Sequence, residues 1–291
     1  MKLATLSVQN KVVVASVDEA AGSFRTVLLN GVPIEDMNRL IEDFEGTKAS
    51  LALGDSQPLS SGTVLAPIPR PRRNIICVGK NYFDHAHEFA RSGFDSSATS
   101  AADAIPKAPI IFTKMPETVV ATQTRIGYPD KSCTKLDYEA ELGVIIGKAG
   151  LGISKEQAMD HVFGYVIIND LTERGLQADH KQWFLGKSFE TSCPMGPWIA
   201  TADELDVANL DVKCWVNDEP RQNSNTRDLI FDVPTLIETI SRGTKLLPGD
   251  VIATGTPVGV GIGFTPPRFL KSGDQVDITI TGLGKLSNVI D

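Results

Sequence analysis

From residue 72 onward the chain is cut by glycine, proline, asparagine and aspartate into short apolar runs, and this punctuation restricts the folds open to it. The runs are Asn74-Ile75-Ile76-Cys77-Val78-Gly79, Pro109-Ile110-Ile111-Phe112, Leu142-Gly143-Val144-Ile145-Ile146, Tyr165-Val166-Ile167-Ile168, Val212-Lys213-Cys214-Trp215-Val216, Asp250-Val251-Ile252-Ala253 and Gln275-Val276-Asp277-Ile278-Thr279-Ile280. Such lengths suit strands better than helices. Helical patterns are few here, at Lys155 to His161 and Val233 to Arg242. A mainly β, α+β protein is expected: a sandwich, roll or barrel rather than a doubly wound α/β sheet.

Residues 1–66 read as a small N-terminal α+β domain, and residues 67–291 as a larger second domain. Met1 to Leu6 and Lys11 to Ala15 suggest two strands, and Met37, Leu40, Ile41 and Phe44 share a helical face within Pro33 to Leu53. The stretch Pro67-Ile68-Pro69-Arg70-Pro71 is a stiff connector, since proline fixes φ and restrains its predecessor. Ser92 to Ala108, rich in serine and alanine, reads as a mobile loop.

Composition excludes several functions. The net charge is −8 and no basic block occurs, so neither nucleic acid nor an anionic membrane is an expected partner. No apolar run approaches the roughly 20 residues that span a bilayer, and no secretory signal is visible, which makes the cytoplasm the expected location. Cys77, Cys133, Cys193 and Cys214 include no C-x-x-C pair and read as reduced structural thiols.

The most informative segment is Leu136-Asp137-Tyr138-Glu139-Ala140-Glu141-Leu142-Gly143. On a strand, residues two apart share a side, which places Asp137, Glu139 and Glu141 on one face. A solvated edge would tolerate three acids. These acids, however, run directly into an apolar strand, and Asp170 ends another. Unpaired buried carboxylates cost several kcal/mol each, and a divalent cation would neutralise them. All-oxygen ligation suits Mg²⁺, with Mn²⁺ or Ca²⁺ also fitting; Zn²⁺ fits less well, because the cluster contains no histidine or cysteine.

Other polar groups flank this centre. If Gly79 to Glu88 turns helical, His85 and Glu88 share a face as either a surface pair or a general base with its orienting carboxylate. Lys187, among apolar neighbours, either reaches out to solvent or supplies a cation to a site, and Arg174 is placed for similar work. Thr254-Gly255-Thr256-Pro257 is a strand-end turn able to bind a carboxylate. Gly259-Val260-Gly261-Ile262-Gly263 precedes prolines and no helix, so it is not read as a nucleotide-binding loop.

These segments occur in an order that resembles the fumarylacetoacetate hydrolase superfamily from about residue 72 to the end. The residues carrying the resemblance are Val78-Gly79-Lys80-Asn81-Tyr82 with His85 and Glu88, Asp137 to Leu142, Asn169-Asp170, Gly186-Lys187-Ser188-Phe189, Pro248-Gly249-Asp250 and Thr254-Gly255-Thr256-Pro257. Pro266 to Leu270 and Cys193 to Pro197 look closest to the branch with the domain-containing-protein-2 homologues. The resemblance implies a β-roll or barrel catalytic domain, a homodimer, and one Mg²⁺ or Mn²⁺ held by Glu139, Glu141 and Asp170. It also implies a catalytic His85–Glu88 dyad with Lys187, and substrate contacts from Tyr82, Arg174, Gly255 and Thr256. The chain departs from the family at Lys80, where arginine is common, and at Gly175, where aspartate often follows the arginine.

The reaction expected first is hydrolysis of a C–C bond in an acylpyruvate or related 2,4-diketo acid through a metal-stabilised enolate. The same enolate would serve an oxaloacetate tautomerase or decarboxylase. A third expectation is a catalytically inactive metal-binding homologue.

Overall fold

The computed structural model describes residues 1–92 and 104–291; most of the expected Ser92 to Ala108 loop lies outside the described residues. All seven apolar runs form strands: Ile75–Gly79, Ile110–Lys114, Ala140–Ile146, Val162–Asn169, Asp211–Val216, Val251–Ala253 and Gln275–Ile280. Two sheets dominate. In the larger, Val162–Asn169, Ala140–Ile146, Val251–Ala253, Ile75–Gly79 and Ile110–Lys114 lie side by side in that order. Ile199–Thr201 flanks them and passes the sheet on to Lys2–Val8, Lys11–Asp18 and Ser23–Leu29. The N-terminal strands thus extend the central sheet. The second sheet orders Arg125–Ile126, Lys285–Ile290, Gln275–Ile280, Asp211–Val216 and Glu219–Asn225. Among the described residues neither sheet closes into a barrel.

The Ala140–Ile146 strand is buried at every position, as a central strand covered on both faces requires. Leu142, Val144 and Ile146 pack with Val212, Cys214, Ile278 and Leu286 of the second sheet. Ile145 joins Val166, Ile168, Met195 and the N-terminal Met37, Leu40 and Ile41 on the opposite face.

The N-terminal helical pattern is shorter than its sequence suggests. Helix covers Met37–Glu42 and Phe44–Thr47, and Leu51–Pro58 is a strand paired with Ser23–Leu29. Pairing with an existing edge overrides the weak local helical preference there. Val233–Ser241 is the expected helix, begun by Asp232, which accepts from the Thr235 amide. All four cysteines are unpaired, three of them buried.

Candidate active site

The acidic residues meet because of strand register. Leu136–Asp137 pairs with Thr172–Glu173, and Ala140–Ile146 pairs with Val162–Asn169, in one continuing antiparallel register. Regular pairing lapses between them, where Glu139 and Asp170 face one another; the Asp170 amide donates to the Glu139 carbonyl at 2.9 Å. Residues directly opposed on such a ladder put their side chains on one face, and Glu141, two residues on, shares it. Glu139, Glu141 and Asp170 each bring a carboxylate oxygen within 4.8 Å of the others, and all three are buried. Like charges opposed in this way repel, so the arrangement calls for positive charge between them.

Part of that charge comes from the chain. Lys187 donates to Glu139 Oε2 at 2.6 Å and to Asp170 Oδ2 at 2.8 Å. Arg174 Nη2 lies 2.6 Å from Glu139 Oε1. Burial alone would raise the Glu139 carboxyl, but the charges of Lys187 and Arg174 outweigh it and hold the group down at about 2. Glu141 is in the opposite position. It accepts only the Gly255 amide, at 2.8 Å, and among the described residues it forms no ion pair. Burial, with Asp170 and Glu139 beside it, pushes its carboxyl well above the usual range. Asp170 Oδ1 forms an ion pair with Lys114 Nζ at 2.7 Å and takes no hydrogen bond among the described residues. A buried carboxylate with no ion pair among the described residues, gathered with two other carboxylates, is what a hard divalent cation would satisfy. The donor set therefore fits such an ion.

Asp137, expected on the same face, shares the Arg174 guanidinium with Glu139 but lies outside the close carboxylate group. It accepts from Arg174 Nε at 2.9 Å and from the amides of Gly261 and Ile262 at 2.6 and 3.2 Å.

The Phe83–Arg91 helix carries His85 and Glu88 on one face, with Nδ1 of His85 3.0 Å from Glu88 Oε2. Both side chains are buried. With Nδ1 committed to the carboxylate, Nε2 is the nitrogen left to exchange a proton. A cleft brings His85 together with Glu139, Glu141, Arg174, Lys187 and Thr256. Phe112 and Trp183 form an aromatic wall of this cleft, edge to face at 5.2 Å.

A family model described as fumarylacetoacetate (FAA) hydrolase C-terminal matches residues 74–291. The chain belongs to the fumarylacetoacetate hydrolase family. Oxaloacetate tautomerase YisK of Bacillus subtilis (strain 168) is 52% identical over 233 residues, covering 80% of this chain and 74% of that protein. The structure of a fumarylacetoacetate hydrolase from psychrophilic Exiguobacterium antarcticum superposes with a TM-score of 0.81 at 35% identity, over 100% of this chain and 99% of that one. Maleylpyruvate hydrolase from Sphingobium sp. SYK-6, solved with manganese(II) and pyruvate, superposes with a TM-score of 0.77 at 30% identity, over 100% and 98% of the two chains. The chain is accordingly an enzyme of the fumarylacetoacetate hydrolase family, with a mainly β architecture and a buried acidic triad able to bind a metal.

Of the four substrate contacts expected from the resemblance to this family, Arg174 and Thr256 line the cleft. Gly255 sits behind it, its amide on Glu141. Tyr82 is buried, bridged to Leu229, with no hydrogen bond to its hydroxyl among the described residues. Two supporting residues carried no signal in the sequence reading. Lys114 is wholly buried at the end of its strand, donating to the carbonyls of Leu171 and Lys187 beside its ion pair with Asp170. Gln222 donates to Thr256 Oγ1 and accepts from the Ala140 amide, tying the turn to the acid-bearing strand. A lysine closing an apolar run was the available clue to Lys114; nothing local marks Gln222, which lies in a polar strand of the other sheet.

Proposed function

We propose that this enzyme depends on Mg²⁺ or Mn²⁺ held by Glu139, Glu141 and Asp170, and that it interconverts the keto and enol forms of oxaloacetate or a closely related 2-oxo acid. The observation carrying this reading is the gathering of three buried carboxylate oxygens within 4.8 Å in a cleft that also presents His85. The bound ion would supply a Lewis acid for the carboxylate and keto oxygens of a 2-oxo acid. Nε2 of His85 takes a proton from C3; the C–H electron pair forms the C2–C3 double bond, the keto oxygen takes up the charge, and the imidazolium then returns its proton to that oxygen, restoring neutral His85. Glu88 fixes the ring and stabilises its protonated form. The Lys187 ammonium lies against Glu139 and Asp170, beside where the oxyanion develops. Arg174 and Thr256 complete the polar wall for the substrate carboxylates.

The 52% identity to an oxaloacetate tautomerase favours this reaction over C–C hydrolysis, reversing the order expected from sequence. Hydrolysis of an acylpyruvate is kept as the second reading because of the structural likeness to a maleylpyruvate hydrolase. In that case His85 would deprotonate water attacking the distal carbonyl, and C3 would leave as an enolate. A homodimer in the cytoplasm is the proposed setting.

Ultraviolet absorbance with Mg²⁺ or Mn²⁺ present tests the assignment. Faster enol–keto equilibration of oxaloacetate, without cleavage of acetylpyruvate, is the expected result. Cleavage of acetylpyruvate without acceleration of oxaloacetate would establish the second reading. Turnover of neither, with metal bound, would leave an inactive homologue.

A further inference from the structure

The Gly259-Val260-Gly261-Ile262-Gly263 segment is used by neither reading above, yet it touches both halves of the site. The Gly259 amide donates to both oxygens of Glu88, at 3.0 and 3.3 Å. Two residues on, the amides of Gly261 and Ile262 donate to Asp137, which also holds Arg174. Tyr138, next to Asp137, donates its hydroxyl to the Gly259 carbonyl at 2.8 Å. Val260 and Ile262 pack on Phe89, one residue beyond Glu88. Each glycine has its own reason. Gly259 has a φ of +106°, and a Cβ there would collide with the Arg221 carbonyl. A Cβ on Gly261 would lie 2.7 Å from Asp137 Oδ1, and one on Gly263 would collide with the Glu88 carboxylate.

We infer that residues 259–263 form a positioning strap for the catalytic dyad. Anchored on Asp137 through its middle, the strap holds the Glu88 carboxylate at Gly259 and Gly263, and through Glu88 it sets the His85 ring. Glu88, a buried carboxylate, takes one of its few donors from this strap; losing it would free the carboxylate to rotate and carry the imidazole off line. The inference rests on the His85–Glu88 dyad of the proposed function, but not on which reaction the dyad serves.

A double-mutant cycle of Gly263→Ala and Glu88→Gln in the Mn²⁺-loaded full chain tests it. Gly263→Ala is expected to lower kcat about 100-fold and to move KM by less than about threefold. Added to Glu88→Gln, it should cause no further loss, because it acts only by displacing the Glu88 carboxylate, which that variant already lacks. Losses that multiply would overturn the strap. Hydrogen exchange of the Phe83–Arg91 helix provides a readout without turnover, should the proposed reaction itself be wrong. Exchange should quicken about tenfold in either single variant and no further in the double. If Gly263→Ala fails to fold, Glu88→Gln alone decides, and unchanged exchange in that helix would overturn the inference.

Discussion

The acid-bearing face and the dyad helix meet in one cleft but are held in different ways. Glu139, Glu141 and Asp170 project from adjoining segments of the central sheet; Lys187, Arg174 and Lys114 tie down Glu139 and Asp170, and every one of these side chains is buried. The helix bearing His85 and Glu88 follows the Ile75–Gly79 strand and rests on a small cluster of Phe89, Val260 and Ile262, with the Gly259 amide on Glu88. The contrast separates two tasks. A charge-binding centre works when its dipoles are fixed beforehand, so a stiff sheet suits it. A proton carrier needs correct aim at the moment of transfer, and a few directed hydrogen bonds achieve that on a separate element.

If this division holds, substitutions on the two sides should fail differently. Glu141→Ala or Asp170→Ala should reduce turnover to background and abolish Mn²⁺ binding, read by titration calorimetry. His85→Ala should lower kcat by about 10²–10⁴-fold, the usual weight of a general base, with Mn²⁺ affinity unchanged; a parallel loss of metal would merge the two regions into one. Lys114→Met should destabilise the metal-free protein by about 3 kcal/mol in chemical denaturation, because Asp170 loses one of its two buried cations.

The smallest expected effect is a pH dependence confined to the acid face. Glu139 is depressed to about 2 from 4.5, so its contribution to stability is full above 4.5 and is lost as pH falls from there toward 2. Glu141 is raised, so it has the opposite sign: its proton stabilises the metal-free fold as pH falls, and that stabilisation disappears as pH rises through its folded value. The metal-free melting temperature should therefore climb as pH drops toward 4.5 and decline below it. Mn²⁺ should bind more tightly as pH rises, since it displaces the Glu141 proton. A flat profile would mean that Glu141 already has a counter-charge without metal.

The sequence made the strands readable because apolar runs between turn residues leave little choice of secondary structure. It made His85 and Glu88 readable because their spacing is local. Register was not legible: that Glu139 stands opposite Asp170, and that Asp137 and Glu139 share Arg174, depends on how distant segments align. The helices Arg174–Asp179 and Phe184–Lys187 are too short to show a period, yet they deliver Arg174 and Lys187. Lys114 follows the run Ile110 to Thr113, where a lysine reads as the end of a strand rather than as a buried counter-ion.

Titration of oxalate, a stand-in for a 2-oxo acid, with and without Mn²⁺ addresses the core of this account in one calorimetric series. One Mn²⁺ per chain, with oxalate binding only once the metal is present, is the predicted outcome. Oxalate binding equally well to the metal-free protein, or Mn²⁺ binding undiminished in Glu141→Ala, would contradict it.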